Sequence, residues 1–169
     1  MTLKKLISSA EDIPLSIGDL KCLLCDKGNV IIYEDLINYD NIIDAMGEHN
    51  RLIVLYNLKG GIGHFVSLFR IDNVIYFYNS YGLKPDAEID MFVHPLPILT
   101  NMLLQSKFIV KTNIYKHQEF KEHINTCGRH AVIRCLKNDM DHNEYNDWLK
   151  SMKMKPDELV SLMTISVNL

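Results

Sequence analysis

The chain has 169 residues, 47% hydrophobic and 23% charged, with a formal net charge of −3. That length suits a single domain, residues 1–169, able to bury a real core without disulfide staples. The acidic balance leaves no footprint for bulk nucleic-acid binding, and no apolar run is long enough for a bilayer. The N-terminal MTLKKLISSAEDIPLS lacks the apolar stretch of a signal peptide, so the chain is expected to be neither secreted nor membrane-bound.

Residues 15–25 and 33–46 carry apolar side chains at mixed helical spacing and are predicted as short helices, with Gly47 as a stop. Leu52 to Tyr56 is an unbroken run of β-formers, which predicts a strand covered on both faces. Gly60, Gly61 and Gly63 then break the chain. HFVSLFRI (64–71) and VIYFYNS (74–80) flank Asp72-Asn73, the pattern of a hairpin with a two-residue turn. Leu83 to Asp90 reads as a loop. Residues 95–105 read as a helix with proline near its start, and 107–113 as a strand that Tyr115 to Phe120 either extends or follows. Helices are predicted from Cys127 to Lys137, over 142–152 and over 156–165, the last two started by Asp141 and by Pro156-Asp157-Glu158. The layout is α+β, with helices segregated from a mainly antiparallel sheet.

Four cysteines, Cys22, Cys25, Cys127 and Cys135, are too few for a disulfide framework and imply free thiols in a reducing setting. In NTCGRHAVIR (125–134), Asn125 or Thr126 is placed to cap a helix, which puts Cys127 in its first turn. Unpaired N–H groups and the positive end of the helix dipole favour a thiolate there. Gly128 lets a substrate backbone or a neighbouring strand approach closely. Cys135, eight residues on, belongs to the helix's buried face. Most free cysteines are inert core residues, so Cys127 needs a partner to be a nucleophile.

Hairpin register supplies the partner. With Ile71 opposite Val74, counting outward puts Val66 opposite Asn79 and His64 opposite Tyr81. His64 and Asn79 then share a sheet face as diagonal neighbours, with Cα atoms about 7–8 Å apart. The Asn79 amide can orient the imidazole, and His64 can act as base. Gln118 offers an amide for an oxyanion. Each of these residues has an ordinary structural alternative, and their joint placement is what favours chemistry.

The order Gly-His-Phe (63–65), Tyr-Asn-Ser-Tyr-Gly (78–82), Gln118 and Thr-Cys-Gly-Arg-His (126–130) resembles the adenain-like and ubiquitin-like-protein-peptidase group of cysteine proteases. Above all it is similar to the capsid-maturation proteases of virophages of the mavirus type. The resemblance covers roughly residues 50–137. It implies a papain-like cysteine protease core, a central mainly antiparallel sheet with the nucleophile at the N-terminus of a packed helix. It implies Cys127 as nucleophile, His64 as general base, Asn79 as its orienter and Gln118 in the oxyanion hole, with no cofactor. It further implies cleavage of capsid protein precursors at small-residue, glycine-containing sites, in the virion or a viral factory in the host cytoplasm. A peptide or DNA activator is possible on the same analogy. Relatives often carry Asp or Glu where this chain has Asn79. A neutral amide holds the imidazole but stabilises an imidazolium less than a carboxylate does, which leaves Asp72, Asp86 or Ser80 as further contributors.

Other readings stay open. A ubiquitin- or SUMO-removing thiol peptidase needs the same residues. Cys22 and Cys25 have ligand-like spacing, and His94, His117, His123 and His130 could complete a zinc site. A non-catalytic interaction module can keep a protease fold. His130, three residues after Cys127, is a rival base without an obvious orienter.

Overall fold

A computed structural model describes residues 1–168. Helix α1 (Leu3–Asp12) starts at Thr2, whose hydroxyl accepts the Lys5 N–H, and α2 (Ile17–Leu23) opens with a Ser16/Asp19 capping box. Strand β1 (Asn29–Ile32) leads into a 3-10 helix (Tyr33–Asn38) and α3 (Ile42–Met46). Strands β2 (Arg51–Leu58), β3 (Ile62–Ile71) and β4 (Val74–Tyr78) come next in succession. After a 3-10 turn at Ile89–Met91 come α4 (Ile98–Gln105), β5 (Ile109–Thr112), α5 (Cys127–Leu136), α6 (His142–Ser151) and α7 (Pro156–Met163), then a 3-10 segment at Ile165–Asn168.

The sheet runs in the order β1-β2-β3-β4-β5. Its three central strands are antiparallel, and β1 and β5 add to the edges in parallel. The hairpin has the predicted register, from Ile71 opposite Val74 to Ser67 opposite Tyr78, with Asp72 at φ 49 in the turn. Strand β2 is covered on both faces, as its apolar run predicts. Leu52, Val54 and Tyr56 join Leu36, Ile42, Met46 and Leu99 in one core. Ile53 faces the other way, into a core with Phe65, Tyr78, Ala131, Val132, Tyr145 and Val160. Each fully buried aliphatic side chain is worth about 1.5–3 kcal/mol, so both helical layers are firmly seated and the sheet between them is a rigid base for a site.

Helix α5 lies at the centre of the second layer, buried from Gly128 to Cys135. It carries two arginines without exposed surface. Arg134 gives its guanidinium N–H groups to the carbonyls of Lys137 and Met140, each at 2.7 Å, between the rings of Phe69 and Tyr145. Arg129 reaches the Thr164 hydroxyl at 2.7 Å and the Ile13 carbonyl at 3.2 Å.

One local expectation is corrected. The helix expected over 33–46 is a 3-10 helix and then a restart, because the Asn41 side chain accepts the N–H groups of Ile43 and Asp44 and begins a new helix there. Tyr33, in that 3-10 helix, accepts the Ile98 N–H and so supplies the cap that Pro97 does not. Of the two alternatives for Tyr115 to Phe120, the segment follows β5 as irregular chain. Helix α1 and strand β1 were not foreseen. Among the described residues no helix is long and apolar enough to cross a membrane.

Candidate active site

The site is assembled where β3, the chain leaving β4 and the start of α5 converge. His64 sits on β3 opposite Tyr56 of β2 and is buried. β4 ends at Tyr78, and the next two residues are held by the segment that leaves β5. The Asn113 side chain donates to the Asn79 carbonyl at 3.0 Å, and the Ser80 carbonyl accepts the N–H groups of His117 and Gln118. Parallel pairing of β4 with β5 thereby delivers Asn79 and Gln118 to the same place.

The Nε2 atom of His64 lies 3.1 Å from Asn79 Oδ1. The network fixes the proton. Asn79 Oδ1 also accepts the Tyr81 N–H at 2.9 Å, and Asn79 Nδ2 donates to Glu88 Oε1 at 3.0 Å. A carboxylate has no proton to give, so the amide cannot be reversed. Asn79 therefore presents oxygen to the ring, Nε2 carries the hydrogen, and Nδ1 is left for Cys127. The Tyr81 ring stacks on the imidazole at 5.2 Å between centroids and holds its plane.

Cys127 is half-buried at the first turn of α5. Thr126 stands at the N-cap position but does not cap the helix; its hydroxyl donates to Asp157 Oδ1 instead. The first N–H groups of the helix are thus not taken by a side chain. Burial alone would push the thiol up. The hydrogen bond to His64 and the imidazolium charge outweigh it, with help from the backbone at Phe65 and Gly128, and the thiol lies below its ordinary value. For His64 burial pulls the other way, downward, and the contact with Cys127, the charge of Glu88 and the Asn79 bond leave the imidazole above its ordinary value. Both shifts favour the thiolate–imidazolium form of the pair relative to isolated groups.

Gln118 is buried. Its Oε1 accepts the Ser80 hydroxyl at 2.7 Å, which turns the NH₂ group toward the segment entering α5, where it meets the Ile124 carbonyl at 3.4 Å. Gly128 sits in a tight fit: a Cβ there would come 3.2 Å from the Phe65 ring and 3.4 Å from Leu15 Cβ. Of the two approaches its sequence position allowed, a neighbouring strand is the one seen. At the open side, Phe120 is 85% exposed and packs edge-on against Tyr81.

Three of the four residues singled out in the sequence, His64, Asn79 and Cys127, meet here, and Gln118 is anchored beside them through Ser80, the residue after Asn79. Of the other contributors considered, Ser80 orients Gln118, Asp86 accepts the Thr100 N–H, and Asp72 stays in the hairpin turn. The acidic group that does reach the site is Glu88, which sequence reasoning missed. It lies in a polar loop with no period to give its direction. His130 does have an orienter, contrary to expectation. Its Nε2 is 2.9 Å from Asp157 Oδ1 and its Nδ1 faces the Tyr78 hydroxyl, deep in the core. Cys135 is buried, and burial pushes its thiol up to about 12. Cys22 and Cys25 are exposed near the end of α2, and among the described residues no group of three or more His, Cys, Asp or Glu side chains is placed to hold a metal ion.

No protein-family model matches the chain. It is 34% identical over 170 residues to the uncharacterized protein V9 of Sputnik virophage, covering 92% of this chain and 96% of V9. Its fold is similar to the crystal structure of the ASFV pS273R protease, with a TM-score of 0.53 and 16% identity, over 90% of this chain and 67% of that one. The α+β arrangement is thus the fold of that protease.

Proposed function

This chain belongs to the family of the Sputnik virophage protein V9, and we propose that it is a cysteine endopeptidase. The observation that carries the reading is the His64 imidazole, bonded through Nε2 to Asn79 and presenting Nδ1 to a thiol of lowered proton affinity at a helix N-terminus. Likeness in fold to a viral protease supports it.

In this reading Cys127 Sγ, as thiolate, attacks the carbonyl carbon of the scissile peptide. The oxygen becomes an oxyanion held by the Gln118 NH₂ group and the Cys127 N–H. His64 gives its Nδ1 proton to the departing amine, and a thioester remains. Water then attacks the thioester while Nδ1 takes its proton, and the sulfur leaves as thiolate, which restores the pair. Asn79 keeps the proton on Nε2 throughout, so Nδ1 alone exchanges protons. Tyr81 and Phe120 form an aromatic wall for an extended substrate. The substrates we propose are capsid protein precursors, cut at small-residue, glycine-containing sites in the virion or viral factory. A peptide or DNA activator belongs to the same proposal, as does function as one domain of 169 residues.

The test is co-expression of the parent and of Cys127→Ala with a virophage major capsid protein as candidate substrate, with mass spectrometry of the products. Cleavage by the parent alone is expected. Identical fragments from both would remove Cys127 as nucleophile, and cleavage of a ubiquitin- or SUMO-fused reporter in place of the capsid protein would reassign the substrate.

A further inference from the structure

Asn79 cannot supply the negative charge that would stabilise an imidazolium, yet the site raises the affinity of His64 for its proton. The charge stands one residue further back. Glu88, just before the 3-10 turn at Ile89–Met91, places Oε1 3.0 Å from Asn79 Nδ2 and 4.0 Å from His64 Nε2. Its side chain is 14% exposed, and its Oε2 is buried without a hydrogen-bond partner. Among the described residues no lysine or arginine pairs with it; the nearby Lys59 amine donates to the Asp90 carbonyl instead. A carboxylate desolvated in this way is costly unless a cation forms beside it. The other titratable groups facing the ring are the Tyr56 and Tyr81 phenols, both held neutral by burial, and the Cys127 thiol. Asp86, two residues before Glu88, is turned to the Thr100 N–H. His64 is the one group that can become the cation.

We infer that Glu88 is a positioning residue of the proposed thiol–imidazole pair, acting through the Asn79 amide to supply the charge that Asn79 lacks. The inference rests on the cysteine-peptidase reading. Asn79 divides what one carboxylate does in a Cys-His-Asp arrangement: its oxygen fixes the tautomer, and its NH₂ group tethers the anion. With Glu88 in place, the thiolate–imidazolium form gains over the neutral thiol–imidazole form.

The measurement needs no substrate. Alkylation of Cys127 by iodoacetamide is tracked against pH by mass spectrometry of the Cys127 peptide, which separates it from the exposed Cys22 and Cys25. The parent should show a reactive plateau well below the pH at which an ordinary thiol ionises. Glu88→Gln keeps the size and the acceptor for Asn79 Nδ2 but removes the charge. It should lower that plateau about tenfold, equivalent to one pKa unit, and the step at which the imidazole loses its proton should move to lower pH. Asn79→Asp combined with Glu88→Gln returns a charge directly to the ring, with the amide introduced at position 88 donating to it, and should restore the plateau. A Glu88→Gln curve that superimposes on the parent would overturn the inference. So would a loss that the double variant fails to restore, which would mark Glu88 as a packing residue only. A parent without a low-pH plateau would instead sink the thiolate–imidazolium pair itself.

Discussion

At the scale of single residues, the site depends on side chains that are absent as much as on those present. Gly128 lets α5 close onto β3 beside His64, with Phe65 filling the space a Cβ would need. Gly128→Ala is expected to cost about 1–2 kcal/mol through overpacking, read by urea unfolding. It should also slow Cys127 alkylation at neutral pH, because the thiol is pushed off the ring. Gly82, at φ 73, lies so near the Ile114 carbonyl that a Cβ would sit 2.8 Å from it, and this close approach brings the Tyr81 loop back over the imidazole. His64 and Asn79 were legible because Asp72-Asn73 sets a two-residue turn and period-two alternation carries the register outward. Cys127 was legible from the polar start of its helix. Glu88 was not. An irregular stretch of chain separates it from Gly82, and nothing local fixes where such a side chain points.

At the scale of elements, α7 does more than cover α5. Asp157, in its first turn, accepts the Glu119 N–H, the Thr126 hydroxyl and the His130 ring, so one carboxylate braces the residue after Gln118, the residue before Cys127 and the helix that Cys127 opens. Burial alone would raise this carboxyl; the His130 bond and charge, with Thr126 and Glu119, bring it below its usual value. Its stabilisation is therefore complete above the unfolded value of about 3.9 and is lost as pH falls through the lower folded value. Asp157→Ala should cost about 3 kcal/mol near neutrality, as expected when one partner of a buried pair is removed. The variant's stability, measured by urea titration at several pH values, should fall less steeply below pH about 4 than that of the parent. The sequence marked Pro156-Asp157-Glu158 as a helix start and was right, but a start signal is silent on what the carboxylate touches. The break at Asn41 and the edge strand β1 escaped for related reasons. Mixed apolar spacing cannot separate a 3-10 turn from an α-helix, and a four-residue parallel edge strand is recognised only once its neighbour is in place.

At the scale of the whole molecule, the sheet is a platform between two cores, and the groups of the proposed pair come from distant segments, His64 from β3 and Cys127 from α5. Their coupling should appear in the pH dependence of precursor cleavage. The thiol is lowered and the imidazole raised. Activity should therefore rise below the ordinary thiol value of about 8.5 and fall above the ordinary imidazole value of about 6.5, giving a bell between limbs displaced from both. A profile that only rises through the ordinary thiol range would show that no such pair forms.

Arg129 gives the molecule a further property. Its guanidinium holds the Ile13 carbonyl, just beyond α1, and the Thr164 side chain and carbonyl, just beyond α7. Residues 13 to 164 are thereby tied into a ring that is closed without a covalent bond, and the knot sits two positions after Cys127. Fraying at either end of that ring would leave a positive charge stranded in the interior, on a residue two positions from Cys127. The two ends are therefore not independent: loosening one weakens the hold on the other.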